Sequence, residues 1–531
     1  MQIAEYDGGR RRIVAHVGSA HTEAELGILL ERAREMLADP AQGAFDLGLE
    51  PAVPRARLVA REAAPTLFEA EPEGKVPAAG PGRVVSTDSR LLFQALDGIY
   101  ADLGFGALAD DVFRDLVLAR VVEPTSILGT GRVLADLGRT AASDKTMRRT
   151  LARCAGRGYR DTIAGLCFAH VRARGDVSLV LYDVTTLYFE AEHEDALRKV
   201  GYSKERRVDP QVVVGLLADR NGFPLEIGCY EGSKAEKHTI VPVVRQFQDR
   251  HGIEAMVVVA DAGMLSADNL DDLDGAGLGF IAGSRVTKAP VDLESHFRWH
   301  GDAFTDGQVI DTLTPKKGKN TDNDPARRAG PAWGRKEHPK SWRAVWSFSA
   351  KRFARDNRTL TAQENRARDV ISGAKSARTP RFVTNAGGNA ALNETALARA
   401  RKLAGLKGYV TNLPVSVMSP GEVISRYHDL WHVEQSFRMS KTDLAARPMF
   451  VRKKDAIKAH LTIVFTALAV ARETQDRTGL AIRNVIRQLR PLRSAVIAVN
   501  GTVQAFPPAI GPGQQEILDD IRNRRDPRGS G

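Results

Sequence analysis

Cysteine is scarce in this 531-residue chain, and long apolar runs are missing. Three cysteines, Cys154, Cys167 and Cys229, give an odd count without CxxC spacing. Neither a disulfide framework nor a zinc site is suggested, and a reducing cytoplasm fits. The first residues lack the apolar segment of a signal peptide. The longest apolar stretch, Leu461 to Val470, falls short of the roughly 20 residues a membrane-spanning helix needs, so no membrane partner is expected. Walker, HExxH and GxSxG motifs are absent, and Gly129-Thr-Gly131 has neither a third glycine nor a preceding strand. The commonest nucleotide-binding and hydrolase sites are thereby removed. No internal repeat is evident.

What is present is length and positive charge. A chain of this size suggests three or four domains, and 43% hydrophobic residues can fill several cores. Lys and Arg number 76 against 65 Asp and Glu, a net charge of +11 with a pI near 9.5. That balance favours a polyanionic partner without identifying it.

The pattern divides the chain into seven segments. Residues 1–49 hold a hairpin signal around Asp7-Gly8 and an amphipathic helix from Glu23 to Leu37. A Pro, Ala and Gly-rich linker follows at 50–85. Residues 86–174 read as helices at Leu91–Leu103, Ala107–Val121 and Ser126–Leu137, with Ser143 capping a helix that runs through Cys154. In 175–285 the order is a strand carrying Asp183, a strand at Gln211–Ala218, a turn at Asp219–Gly222, a strand at Pro224–Tyr230, a helix near His238–His251 and a strand leading to Asp261. Residues 286–405 are an insertion, with the polar run Pro315–Pro325 read as a loop and a helix at Ala354–Ser372. A strand at Gly408–Asn412 returns the chain to a late helix within 406–475, and 476–531 form a C-terminal helical region and tail.

Chemistry concentrates in Tyr427-His-Asp-Leu-Trp-His-Val-Glu434-Gln-Ser-Phe-Arg438-Met-Ser-Lys441. At about 100° per residue, Tyr427, Leu430, Glu434, Phe437, Arg438 and Lys441 form one stripe of a helix. A glutamate turned inward needs a counter-charge. A metal ion would serve, and an i,i+4 pair with Arg438 is the plainer alternative. Two further acids can share such an ion: Asp183, in Leu179-Val-Leu-Tyr-Asp183, and Asp261, closing Met256-Val-Val-Val-Ala-Asp261. Three carboxylates on two strands and a helix suit two hard divalent cations, Mg²⁺ or Mn²⁺, although strand-end aspartates also commonly cap turns. A second cationic face, Lys145, Arg148 and Arg149, lies on the helix after Ser143. It is similar to the reading element of a helical DNA-binding domain, with solvated surface as the plainer reading.

In these residues the chain resembles the DDE transposases of bacterial insertion sequences, in the insertion-sequence-four-like superfamily. The C-terminal motif of that superfamily reads Tyr, Arg three residues on, Glu four further and Lys seven further. Tyr427, Glu434 and Lys441 match, whereas the Arg position holds Leu430, and Arg438 can offer a guanidinium from the same face. Gly201-Tyr-Ser-Lys204-Glu-Arg206, Asp209-Pro-Gln211, Glu231-Gly-Ser-Lys-Ala-Glu236, Ala260-Asp261-Ala-Gly-Met and Arg447-Pro448 with Ile457 and His460 match a subgroup in order.

The strand and helix order is that of an RNase H-like catalytic core, and the resemblance implies the same α/β fold. It further implies a β-rich insertion before the catalytic glutamate and a helical N-terminal DNA-binding region. The function implied is metal-dependent cleavage at the element's terminal inverted repeats and strand transfer into target DNA. Asp183, Asp261 and Glu434 would hold two metal ions, while Tyr427, Arg438 and Lys441 would meet DNA. A homodimer on DNA is expected, with Ala456–Leu492 as a candidate interface, in a cytoplasmic, nucleoid-associated setting. Four of the five tryptophans, Trp299, Trp333, Trp342 and Trp346, fall in the insertion, where core packing or a flipped base would use them. An RNase H-fold nuclease without strand transfer and a non-catalytic transposase-derived DNA-binding protein are the alternatives.

Overall fold

The computed structural model describes residues 2–7, 10–16 and 83–523, apart from 176, 190–192, 202–208, 235–237, 254, 263–265, 319–321, 323, 325, 329–331, 377–380, 387–388, 448, 450 and 500–501. It divides into two compact units, Met1–Val76 and Pro77–Gly531. In the first, β1 (Gln2–Asp7) pairs antiparallel with β2 (Arg10–His16), the hairpin expected around Asp7-Gly8. The helix at Glu23–Leu37 and most of the linker lie outside the described residues.

The second unit opens with β3 (Arg83–Asp88), so the linker expected to reach residue 85 gives way to a strand sooner. Its partner is a strand some 400 residues later, a pairing no local pattern reveals. Five helices follow: α1 (Arg90–Asp102), α2 (Asp111–Val122), α3 (Ile127–Asp136), α4 (Asp144–Gly156) and α5 (Tyr159–Arg172). The helix expected from Ala107 starts later. Ala109 takes a left-handed conformation (φ 48°), and the Asp110 side chain then accepts from Phe113 N at 3.1 Å, capping α2. Ser126 and Ser143 cap α3 and α4 in the same way.

Next come β4 (Leu179–Tyr188), β5 (Gln211–Asp219), β6 (Pro224–Glu231), α6 (Ile240–His251), β7 (Val257–Ala260), α7 (Ala267–Gly275) and β8 (Gly279–Ser284). Between β8 and the next core strand lie α8 (Ala289–Asp292), α9 (Glu294–His300), β9 (Val309–Pro315), β10 (Ser341–Phe348), α10 (Ala350–Ile371), β11 (Val383–Ala386), β12 (Asn389–Leu392) and α11 (Glu394–Lys402). Among the described residues this stretch carries more helix than strand, so the β-rich insertion expected here is mixed. Part of the polar run Pro315–Pro325 lies outside the described residues. β13 (Leu406–Thr411) then leads to α12 (Pro420–His428), α13 (Leu430–Thr442), α14 (Lys454–Thr478) and α15 (Ile482–Leu489). The chain ends in β14 (Ser494–Val499), β15 (Thr502–Phe506) and α16 (Pro512–Arg522), so the tail expected to be helical also contributes strands. β15, β14 and β3 form a small antiparallel sheet.

One eight-stranded mixed sheet, in the order β6-β5-β4-β7-β8-β13-β10-β9, organises the unit. β4, β7 and β8 run parallel and the remaining pairs are antiparallel. Every residue of β5 is buried, as expected of a strand covered on both faces. α14 is apolar nearly all round, and Ile457, Leu461, Phe465 and Leu468 are buried where it packs against α1, α2, α4, α16 and β6. The Ile457–Val470 run is thus spent inside the chain and is not a surface for a second copy, because helices distant in sequence cover it. No described helix is long and apolar enough to cross a membrane.

Candidate active site

Register brings two of the expected acids to neighbouring strands. On the parallel pair β4 and β7, Tyr182 lies opposite Ala260, with Asp183 the next residue of β4 and Asp261 the residue that follows β7. Their direction follows from the pleat. Tyr182 sends its hydroxyl to Thr239 (2.9 Å) at the start of α6, on one face. Asp183 therefore faces the other side, with Thr185 and Leu187, which line a small cavity with Phe437 and Lys441 of α13. In each acid Oδ1 accepts the following backbone N–H at 2.8 Å, from Val184 and from Ala262. Asp183 is half-buried and Asp261 exposed.

Tyr427 is buried on α12 and donates its hydroxyl to Asp261 Oδ1 at 2.7 Å. Burial and the Asp261 carboxylate both push its pKa up, so it stays a donor. Glycine at 283 makes that reach possible: a Cβ there would stand 2.5 Å from the Tyr427 oxygen. The Tyr427 ring meets Tyr409 edge to face, centroids 5.0 Å apart, and carries Lys407 Nζ 4.9 Å from its centroid. Burial lowers the Lys407 pKa, with Asp261 opposing that shift and Arg352 adding to it. His428, whose Nε2 lies 3.3 Å from the Tyr409 hydroxyl, is likewise lowered by burial and then by Arg352 and Lys407. A cationic corner thus adjoins Asp261. Sequence reasoning missed it. The available signal was Lys407, a lone cation inside the apolar run Leu406–Thr411.

Glu434 sits differently from expectation in two respects. The expected single helix is broken at Asp429, so Tyr427 and Glu434 lie on successive helices, α12 packing over β7, β8 and β13 and α13 over β4 and β5. Glu434 is also exposed rather than turned inward, because Leu430, Val433, Ser436 and Phe437 occupy the buried face. Arg438 is exposed one turn on, with no ion pair to Glu434 among the described residues. Glu434 is close enough to Tyr427 for its charge to raise the tyrosine pKa further. Lys441 is half-buried beside Phe437. Trp431, exposed one turn before Glu434, tilts against His432 with ring centroids 3.8 Å apart.

Adjacent carboxylates on strand ends suit hard divalent ions, which take one or two carboxylates and complete their shell with water and phosphate. Among the described residues no three His, Cys, Asp or Glu side chains gather into a metal cage of their own. Asp183 and Asp261 are carboxylates of that kind on neighbouring strands, and Glu434 is exposed on α13.

The other expected residues are scattered. Lys145, Arg148 and Arg149 are exposed on α4, and Arg148 pairs with Asp144 at 2.9 Å. Of the four tryptophans between β8 and β13, Trp333, Trp342 and Trp346 are buried. Trp299 is exposed, with Arg328 4.9 Å and Arg298 5.8 Å from its ring centroid.

A search of curated proteins finds no match to this chain. Among solved structures, a cryo-EM structure of the piggyBac transposase synaptic complex with hairpin DNA is similar at a TM-score of 0.36 and 10% identity, over 78% of this chain and 82% of that one. A family model described as the transposase DDE domain matches residues 175–470, more than half of the chain, and the chain belongs to that family of DNA phosphoryl-transfer enzymes.

Proposed function

We propose that this enzyme cuts DNA at the terminal inverted repeats of its own element and joins the freed 3′ hydroxyls to target DNA. Asp183, Asp261 and Glu434 are the catalytic acids, on an RNase H-like core built from β4 to β8 with α12 and α13. The observation that supports this most is Asp183 within β4 and Asp261 just past the end of the neighbouring parallel strand β7, with Tyr427 hydrogen-bonded to Asp261.

Mg²⁺ or Mn²⁺ ions held by the three acids would neutralise charge on the reacting phosphate. Tyr427 fixes the Asp261 carboxylate through its hydrogen bond. Lys407 and Arg438 supply positive charge on either side of the acids. In-line attack on phosphorus by a water oxygen forms the new P–O bond and breaks the bond to the 3′ oxygen, which leaves with a proton as a hydroxyl. In joining, that hydroxyl attacks a target phosphodiester and displaces another 3′ oxygen, so bond energy is conserved and ATP is not needed. The exposed rings of Trp431 and Trp299 suit an unstacked base. Two ends must be processed together, so the working unit on DNA is at least a dimer.

A labelled element-end duplex with a plasmid target tests this reading. Wild type should yield both cleaved and joined products, and Asp183→Asn or Asp261→Asn should yield neither while still binding the duplex. Cleavage without joined product would make the protein a nuclease, and binding without either would make it a non-catalytic DNA-binding protein.

A further inference from the structure

Away from the acids, a cavity of about 300 Å³ opens between α2, the N-terminus of α3, α4, the loop at 443–451 and α14. Arg120 of α2 lines it, and its guanidinium is sunk into the protein with no carboxylate partner among the described residues. Its Nη1 donates to the carbonyls of Leu444 and Ala445, both at 3.2 Å. Burial alone lowers its pKa to about 10. A cation drawn out of water without a counter-ion is costly, so the fold holds it there at a loss. The acid lining the same cavity, Glu123, is already occupied by Arg132 and Arg490.

Other polar groups share the cavity with Arg120. Arg148 and Arg447 line it from α4 and from the loop, Arg148 also pairing with Asp144. Thr125 and Ser126 bring in the start of α3, whose dipole and first N–H groups favour an anion, Gly129 N being taken by the Ser126 cap. His460 of α14 is half-buried against it, and its Nε2 has no partner among the described residues. A guanidinium with no carboxylate partner among the described residues, two further arginines, a helix N-terminus and an unpartnered imidazole nitrogen line one space. Such a set is built for an anion of about phosphate size.

We propose that this cavity receives one backbone phosphate of duplex DNA, with Arg120 at its base and Arg148 and Arg447 at its mouth. The assignment rests on the reading of the chain as a DNA-processing enzyme and locates a contact outside the three acids. Because Arg148 belongs to the N-terminal helices and Arg447 follows the helix of Glu434, one phosphate tied to both would set the distance between the bound sequence and the cut.

The test uses the full chain and a fluorescently labelled duplex, titrated by anisotropy at several salt concentrations. Arg120→Met should weaken binding about tenfold and make the slope of log affinity against log salt shallower by about one, as loss of one phosphate contact requires. Its unfolding temperature should be unchanged or higher, since the methionine removes a buried charge without a counter-ion. Should Arg120→Met fail to fold, Arg447→Gln is expected to give the same loss of affinity and slope. Wild-type affinity and slope in the variant that folds would overturn the proposal while leaving the transposase reading intact. A wild-type chain that bound no duplex would overturn both. Inorganic phosphate alone separates the remaining source: if it raised the unfolding temperature of wild type but not of Arg120→Met, while both bound duplex equally, the site would take free phosphate and the DNA assignment would fall.

Discussion

Glu434 and Glu473 sit on successive helices, and the protein treats them in opposite ways. Glu473, on α14, is wholly buried and held by Arg174 (2.6 Å), Arg477 (2.7 Å) and His170 (3.1 Å). Burial alone would raise its pKa, yet the hydrogen bonds from His170 and Arg174, with Arg477 added, hold it down to about 2. Glu434, on α13, is exposed and has no such partners among the described residues. An inward glutamate must be given counter-charge, and in this fold that residue is Glu473. A buried acid that is fully satisfied is part of the scaffold, whereas an exposed acid such as Glu434 is open to solvent and to a ligand.

The comparison breaks most sharply under charge-neutral substitution of each. Glu434→Gln should reduce cleavage and joining below detection with an unchanged unfolding temperature, measured on the same preparation. A stable variant with wild-type activity would remove Glu434 from the site. Glu473→Gln should do the reverse: it leaves Arg174 and Arg477 without their shared counter-ion and should cost about 3–5 kcal/mol of stability, read as a lower midpoint in urea, while folded molecules keep their activity.

Acid titration sharpens the same contrast. The Glu473 pKa is depressed in the folded state, so its stabilisation is complete above about 4.5 and lost as pH falls toward about 2. Unfolding temperatures followed across that window should fall in wild type and fall less steeply in Glu473→Gln.

Smaller effects are expected around Asp261. Tyr427→Phe removes one hydrogen bond from the carboxylate, and Gly283→Ala crowds the same hydroxyl. Each should lower activity about 10–100-fold, as loss of an orienting partner does, and raise the Mg²⁺ concentration needed for half-maximal rate. Equal activity at all Mg²⁺ concentrations would show that Tyr427 serves packing alone. Smallest of all, Lys407→Met should make the salt slope of DNA binding shallower by about one, with no change in an assay of folding.

Much of the fold was legible because it is local. The caps at Ser126 and Ser143, the strand carrying Asp183, the turn at Asp219–Gly222 and the strand ending before Asp261 all follow from short-range pattern and hydrogen-bonding residues. The break at Asp429 was not legible, since nothing in Tyr427–Lys441 departs from helical periodicity. The strand at Arg83–Asp88 was hidden for another reason: its partner lies at the far end of the chain.

The sequence by itself determined that acids would stand at Asp183 on a strand and at Asp261 where a strand ends, and that Tyr427, Glu434 and Lys441 would follow in the motif order of a DDE transposase. Residue type and spacing are properties of the chain, so they survive without coordinates. Only the tertiary structure decided which carboxylate is buried and which is open, and that Tyr427 reaches Asp261 past Gly283. It alone brought Lys407 beside Asp261 and sank Arg120 with no carboxylate partner among the described residues. Burial and counter-charge are set by what packs across from a residue, and those neighbours come from segments far away in sequence.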